Sequence, residues 1–124
     1  MATHRLNTTD LKQMKQRGEK IAVLTSYDAS FTVQLEKAGI DILLVGDSLG
    51  MVLQGHDTTL PVTIDNMVYH TSLVSHVRQR AYLDSDFSYQ TYDTPEQALT
   101  NAQKLINAGA DMVKLEGGHV MLSV

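Results

Sequence analysis

A chain of 124 residues with 43% hydrophobic residues has room for one domain with a core and no room for two. Its formal net charge of -4 comes without any basic surplus, and Arg78 and Arg80 form an isolated pair with no basic stripe around them, so nucleic acid is excluded as an expected partner. The absence of cysteine excludes disulfides, thiolate zinc sites and cysteine nucleophiles, and it fits a reducing, cytoplasmic setting.

The opening stretch MATHRLNTTDLKQMKQRGEK is polar and lacks the apolar core of a signal peptide. No later run approaches the length of a membrane span, so a soluble, intracellular protein without a membrane partner is expected. IAVLTSYD, from Ile21 to Asp28, predicts a first strand. SFTVQLEKAG then places Phe31, Leu35 and Ala38 on one helical face, with Gly39 as the stop and Asp28 as the cap of a helix beginning near Ala29. DILLVGD is a second strand, apolar without interruption from Ile42 to Val45. Beyond a long loop, Ile64, Met67, Val68, Thr71, Val74 and Val77 recur at helical spacing, and Thr63 is placed to cap them. AYLDSD, from Ala81 to Asp86, predicts a third strand. TPEQALTNAQKLINAG opens with Thr94 as cap, Pro95 at the first helical position and Gln97 where a capping box wants it, and it ends at Gly109. ADMVKLEGG closes as a fourth strand.

Strands that alternate with helices, several of them apolar on both faces, predict an α/β fold with a parallel sheet. An internal echo supports it: Ala38-Gly39-Ile40-Asp41-Ile42-Leu43 is matched by Ala108-Gly109-Ala110-Asp111-Met112-Val113. Each copy is a helix end, a glycine stop and an entry into a strand. No linker or low-complexity stretch divides residues 1–124, which read as a single domain.

In parallel α/β folds ligands sit at the carboxyl ends of the strands, and the residues there are Tyr27-Asp28, Asp47-Ser48, Asp86, and Lys114 with Glu116. Lys114 and Glu116, two apart, are expected to share one side of the fourth strand. Any one carboxylate after a strand serves as readily for a helix cap or a solvated loop. Three in register, Asp47, Asp86 and Glu116, with a lysine, suit a hard cation such as Mg2+ and an anionic ligand that it holds. The histidines fit a shared site less well. His70 and His76 are six apart on one helix, His4 and His119 lie near the chain ends, and only His56, in the long loop, is placed to touch a ligand. Met51, Met67 and Met112 read as packing.

The letters Gly46-Asp47-Ser48-Leu49 also match the signature of a class of serine esterases. Those enzymes draw their base from a late Asp-x-x-His, which this chain lacks, and carry the signature on their first strand, whereas a complete βα unit precedes it here. Ser48 is therefore not read as a nucleophile.

The loop VGDSLGMVLQGHDTTLPVT, the helical YHT, the segment TPEQA and the strand VKLEGG closely resemble the ketopantoate hydroxymethyltransferase family, over about Leu11 to Gly118. The resemblance implies a (β/α)8 TIM barrel of the phosphoenolpyruvate/pyruvate superfamily, of which this chain holds about the first four βα units. It implies transfer of a hydroxymethyl group from 5,10-methylenetetrahydrofolate to 3-methyl-2-oxobutanoate, giving ketopantoate for pantothenate biosynthesis, with Mg2+ as the metal. By motif, Asp47 and Asp86 would ligate the metal, Glu116 would join them directly or through water, and Ser48 and Lys114 would hold the keto acid's carboxylate. The family's catalytic base is a glutamate on a later strand, expected beyond Val124, and the full-length enzyme is expected to be a homo-oligomer.

Two departures accompany the resemblance. Where the family reads Asp-Leu-Pro-Phe after its third strand, this chain has Asp86-Phe87-Ser88-Tyr89, and Asp84 stands where an apolar residue is normal. By alternation Asp84 points the same way as Asp86 but deeper, where a charge is costly unless paired. A barrel also takes about 250 residues, so the chain reads as the N-terminal part of one, inactive alone. The competing readings are a Mg2+-dependent lyase or mutase acting on an α-keto acid, against which the long loop argues, and a non-catalytic remnant.

Overall fold

The computed structural model describes residues 4–124. Helix α1 (Thr8–Gln16) lies in the polar opening stretch, where no element was expected. Its signal is the spacing in Asn7-Thr8-Thr9-Asp10. The Asn7 side chain accepts the N–H groups of Thr9 and Asp10 at 2.8 and 3.1 Å, and the Asp10 carboxylate accepts that of Asn7 at 2.9 Å. The helix buries none of its residues, which is why periodicity is silent there.

Strand β1 (Val23–Thr25) is shorter than expected, and α2 (Ala29–Ala38) follows with Asp28 accepting the Phe31 N–H at 2.9 Å. Gly39 ends the helix at a φ of 84°, a left-handed conformation open to glycine at little cost. The inward face of α2 differs from the expected one. Phe31 and Ala38 are exposed, whereas Thr32 is fully buried, its hydroxyl bonded to Ser26 Oγ at 2.9 Å and to the Asp28 carbonyl at 2.7 Å. Those two hydrogen bonds turn the helix toward Thr32 and Leu35.

Strand β2 (Ile42–Val45) leads into a single helical turn, α3 (Leu49–Val52), within the long loop. Helix α4 (Ile64–Val77) opens with a reciprocal capping box between Thr63 and Asn66, at 3.0 and 3.2 Å. Strand β3 (Tyr82–Asp86) is buried at every residue, and α5 (Pro95–Asn107) is capped by Thr94. Gln97 reaches one residue further back than a capping box requires, bonding the Asp93 N–H at 2.8 Å. Strand β4 (Met112–Lys114) ends before Glu116, so Lys114 and Glu116 do not share a strand, and a 3-10 turn follows at Gly118–Met121. No helix among the described residues is long and apolar enough to cross a membrane.

The four strands are parallel and pair in sequence order, β1-β2-β3-β4. A strand-helix-strand crossover is right-handed almost without exception, so sequential order sends every crossover helix to the same face. That is the winding of a barrel, whereas a doubly wound sheet reverses its order. Leu43, Val45 and Leu83 carry the covered face and meet Met67 and Val74 of α4 and Leu105 of α5 in one core. Across the same layer the Thr71 hydroxyl of α4 bonds Ser85 Oγ at 2.8 Å. Alternation puts Ile42, Leu44, Tyr82, Asp84 and Asp86 on the opposite, inner face.

The internal echo has a structural purpose. The Asp41 carboxylate accepts the Ala22 N–H at 3.0 Å, at the entry to β1, and Asp111 accepts the Leu83 N–H of β3 at 2.9 Å. Each aspartate is held by an arginine: Arg80 reaches Asp41 at 2.9 Å, and Arg78 grips Asp111 with both terminal nitrogens while also bonding the Ala81 and Gly109 carbonyls at 3.0 Å. Glu36 adds a third tie, accepting N–H groups from Gln79, Arg80 and Ala81. Gly109 is needed on two grounds, since its φ is 111° and a Cβ there would fall 2.5 Å from Ser75 Cβ.

Because the Arg78 side chain is only 3% exposed and also holds the Ala81 and Gly109 carbonyls, Arg78→Met should lower the unfolding free energy by about 1 to 3 kcal/mol. Arg17→Ala, which breaks the exposed pair with Glu19, should leave the urea midpoint where it is. Equal shifts for the two variants would refute the role given to the buried pair.

Candidate active site

Register brings the chemistry-bearing residues together. Asp86 is paired with Lys114 across β3 and β4, and Val45 with Ser85 across β2 and β3, so Gly46 stands level with Asp86. A Cβ on Gly46 would lie 3.2 Å from both Asp86 Oδ2 and Ser48 Oγ, so the missing side chain leaves the space those two oxygens flank. Asp47, Asp86 and Glu116 line one pocket of about 180 Å³. Lys114 Nζ sits 2.9 Å from Asp86 Oδ1 as an ion pair and also bonds the Glu116 carboxylate, so the lysine joins two of the three carboxylates.

The rest of the wall was missed in the sequence. Phe87, Tyr89 and Tyr92 close one side, and Thr59 and Leu60 of the long loop close another. The signal available was three aromatic residues within six positions directly after a strand end. Phe87 and Tyr92 pack with ring centroids 5.4 Å apart, which stiffens that wall. Ser48 does not stand in the wall. Its hydroxyl meets the Tyr27 phenol at 2.6 Å, a partner that cannot act as the base a nucleophilic serine needs. His70 uses its Nδ1 to bond the Tyr27 carbonyl at 2.7 Å, a tie between α4 and the end of β1.

The electrostatics are lopsided. Burial pushes the Asp86 carboxyl above its ordinary range, with Lys114 pulling it back. Burial, and then the charge of Asp86, raises Asp84 to about 6. Burial alone would lower Lys114, yet its hydrogen bonds to Glu116 and Asp86 hold it above the ordinary lysine range. The hydrogen bond from Lys114 lowers Glu116. Asp84, Asp86 and Glu116 thus share one ammonium, and Asp47 adds its charge beside Asp86.

The donor set fits a hard divalent cation. Its ligands are carboxylate oxygens, and Asp84 Oδ1 is buried without a hydrogen-bond partner among the described residues, a costly state that a cation would relieve. Among the described residues no three histidine, aspartate or glutamate side chains already stand close enough to form a cage. Glu116, with its side chain 75% exposed, is turned to Lys114.

A sequentially wound parallel sheet with an acidic, lysine-bridged pocket at its carboxyl ends is the architecture of a barrel segment. Solved structures with this fold include a phosphoenolpyruvate phosphomutase from Streptomyces platensis subsp. rosaceus, at a TM-score of 0.70 and 12% identity over 87% of this chain and 37% of that one. A 2,3-dimethylmalate lyase of the PEP mutase/isocitrate lyase superfamily matches at a TM-score of 0.68 and 17% identity over 94% of this chain and 42% of that one. At such identities the likeness is one of fold alone.

Sequence comparison is more specific. The family model for ketopantoate hydroxymethyltransferase matches residues 5–124, and the chain belongs to that family. The 3-methyl-2-oxobutanoate hydroxymethyltransferase of Shewanella loihica is 55% identical over 95% of this chain and 45% of its own length. Its counterpart in Methylobacillus flagellatus is 56% identical over 94% and 45%, and one from Burkholderia cenocepacia 58% identical over 88% and 40%. The chain therefore spans under half the length of the curated relatives it matches.

Asp84 yields a test with a definite sign. It holds its proton more tightly when folded, at about 6, than at the ordinary 3.8, so acid favours folding and this contribution fades as pH rises through that window. With a chelator present, Asp84→Asn should gain stability relative to the parent between pH 4 and pH 7, by up to about 3 kcal/mol in urea unfolding. A difference that does not change with pH would contradict the burial argument.

Proposed function

We propose that this chain supplies the metal- and keto-acid-binding part of an enzyme that transfers a hydroxymethyl group from 5,10-methylenetetrahydrofolate to 3-methyl-2-oxobutanoate. The observation that carries the reading is the pocket lined by Asp47, Asp86 and Glu116, the last two bridged by Lys114. Family membership and relatives named for that reaction support it.

Asp47 and Asp86 would hold Mg2+, with Glu116 joining directly or through water. When bound, Mg2+ supplies Lewis-acid polarisation of the keto group, an effect worth several kcal/mol in metal sites generally. Lys114, released from part of its pairing, offsets the charge of the substrate carboxylate, and Ser48 offers that carboxylate a hydrogen bond. Phe87, Tyr89 and Tyr92 give the pocket an aromatic wall against which the alkyl end of the keto acid can shed water. Proton abstraction falls to a glutamate that the family resemblance puts on a strand after these four.

A hybrid in which residues 5–116 replace the matching part of the Shewanella loihica relative tests the reading through ketopantoate formation. Asp47→Asn should lower its activity by at least about a hundredfold, since even outer partners of a metal ligand cost ten- to a hundredfold. Ser48→Ala removes one hydrogen bond and should cost about tenfold or less. A hybrid that folds but forms no ketopantoate would overturn the proposal, and a larger loss for Ser48→Ala would reopen the nucleophile reading.

A further inference from the structure

Four helices of this chain open with a side chain that accepts an N–H of the first turn: Asn7, Asp28, Thr63 and Thr94. Ser48 opens α3 and makes no such bond, so its hydroxyl is not spent on the helix. It is instead held by the Tyr27 phenol at 2.6 Å. Tyr27 is itself fixed at both ends. Its ring is buried in the core, and its main-chain carbonyl accepts a hydrogen bond from His70 Nδ1 of α4 at 2.7 Å.

A serine hydroxyl has one proton to give and two lone pairs to receive with. A phenol is a stronger acid than an aliphatic alcohol, so the Tyr27 O–H is the natural donor of the pair and Ser48 Oγ the acceptor. The Ser48 proton is then left for a different oxygen. Gly46 shows where that proton can go, because a Cβ on it would lie 3.2 Å from both Ser48 Oγ and Asp86 Oδ2, and Asp86 lines the acidic pocket. Donating in series also strengthens each bond of the chain.

We propose that Tyr27 is a positioning residue that acts through Ser48, orienting its O–H to donate to an oxygen of the carboxylate ligand at the mouth of the acidic pocket. The proposal rests on the keto-acid reading given above and assigns to Tyr27 the direction, rather than the existence, of the serine's hydrogen bond. His70 keeps the tyrosine main chain in place for it.

Calorimetric titration of the 124-residue chain separates the possibilities, first with Mg2+ alone and then with 3-methyl-2-oxobutanoate at saturating Mg2+. Tyr27→Phe keeps the ring and removes only the hydroxyl. It should weaken keto-acid binding by about three- to tenfold and leave Mg2+ affinity unchanged. In a Ser48→Ala background the same substitution should have no further effect, which packing alone would not produce. An equal loss in both backgrounds, a parallel loss of Mg2+ affinity, or keto-acid binding untouched by Tyr27→Phe each overturns the positioning role and leaves the keto-acid reading standing. A parent chain that binds Mg2+ but no keto acid overturns both.

Discussion

Carboxylates that accept main-chain N–H groups at the amino ends of the strands are the interaction on which the rest of this structure depends. A parallel sheet has no hairpins to set its register, so each strand must be seated by something outside the ladder. Here Asp41 seats the entry to β1 and Asp111 that of β3, while Glu36 holds the segment leading into β3. Arginines are the fitting counter-ions because a planar fork can grip a carboxylate and still reach carbonyls beside it, as Arg78 does. Once the amino ends are registered, the carboxyl ends arrive level, and Gly46, Asp86 and Lys114 fall into one layer without further instruction.

The two ends of the sheet handle charge in opposite ways. At the amino end Asp41 and Asp111 each have an arginine and a backbone donor, so the charges are spent on structure. At the carboxyl end the carboxylates outnumber the one ammonium among them, and Asp84 Oδ1 is buried without a hydrogen-bond partner among the described residues. Such an imbalance costs stability in the free chain, a cost that a bound cation would relieve. Asp84 deepens it, for it stands on the inner face one layer below Asp86.

Much of this was legible in the sequence. Apolar runs located all four strands, cap residues located α2, α4 and α5, and the repeated Ala-Gly-x-Asp showed two equivalent strand entries. What escaped has physical reasons. Helix α1 buries nothing and so leaves no periodic trace, only its caps. The face of α2 was misjudged because Thr32 is buried for its hydrogen bonds and Phe31 is left outside, the reverse of what hydropathy ranks. For the site, strand ends pointed to Asp47, Asp86, Lys114 and Glu116, since position along a parallel strand is readable from alternation alone. The Tyr27–Ser48 pair was not, because it joins residues from different segments across a distance that no spacing rule encodes, whereas the aromatic wall left only the local signal of three aromatic residues after one strand end.

The contact between Gly109 and Ser75 carries a consequence for how this chain can change length. With a Cβ excluded at Gly109 and the Asp111 carboxylate fixed two residues later, the α5–β4 turn has no slack. Inserting a single residue there would rotate every β4 side chain to the other face, exchanging Lys114 for Val113 at the pocket. The same arithmetic applies between Gly39 and Asp41. The amino-end turns are therefore locked in length, and insertions can be absorbed only in the carboxyl-end loops, such as the stretch from Leu53 to Pro61, where the sheet imposes no count.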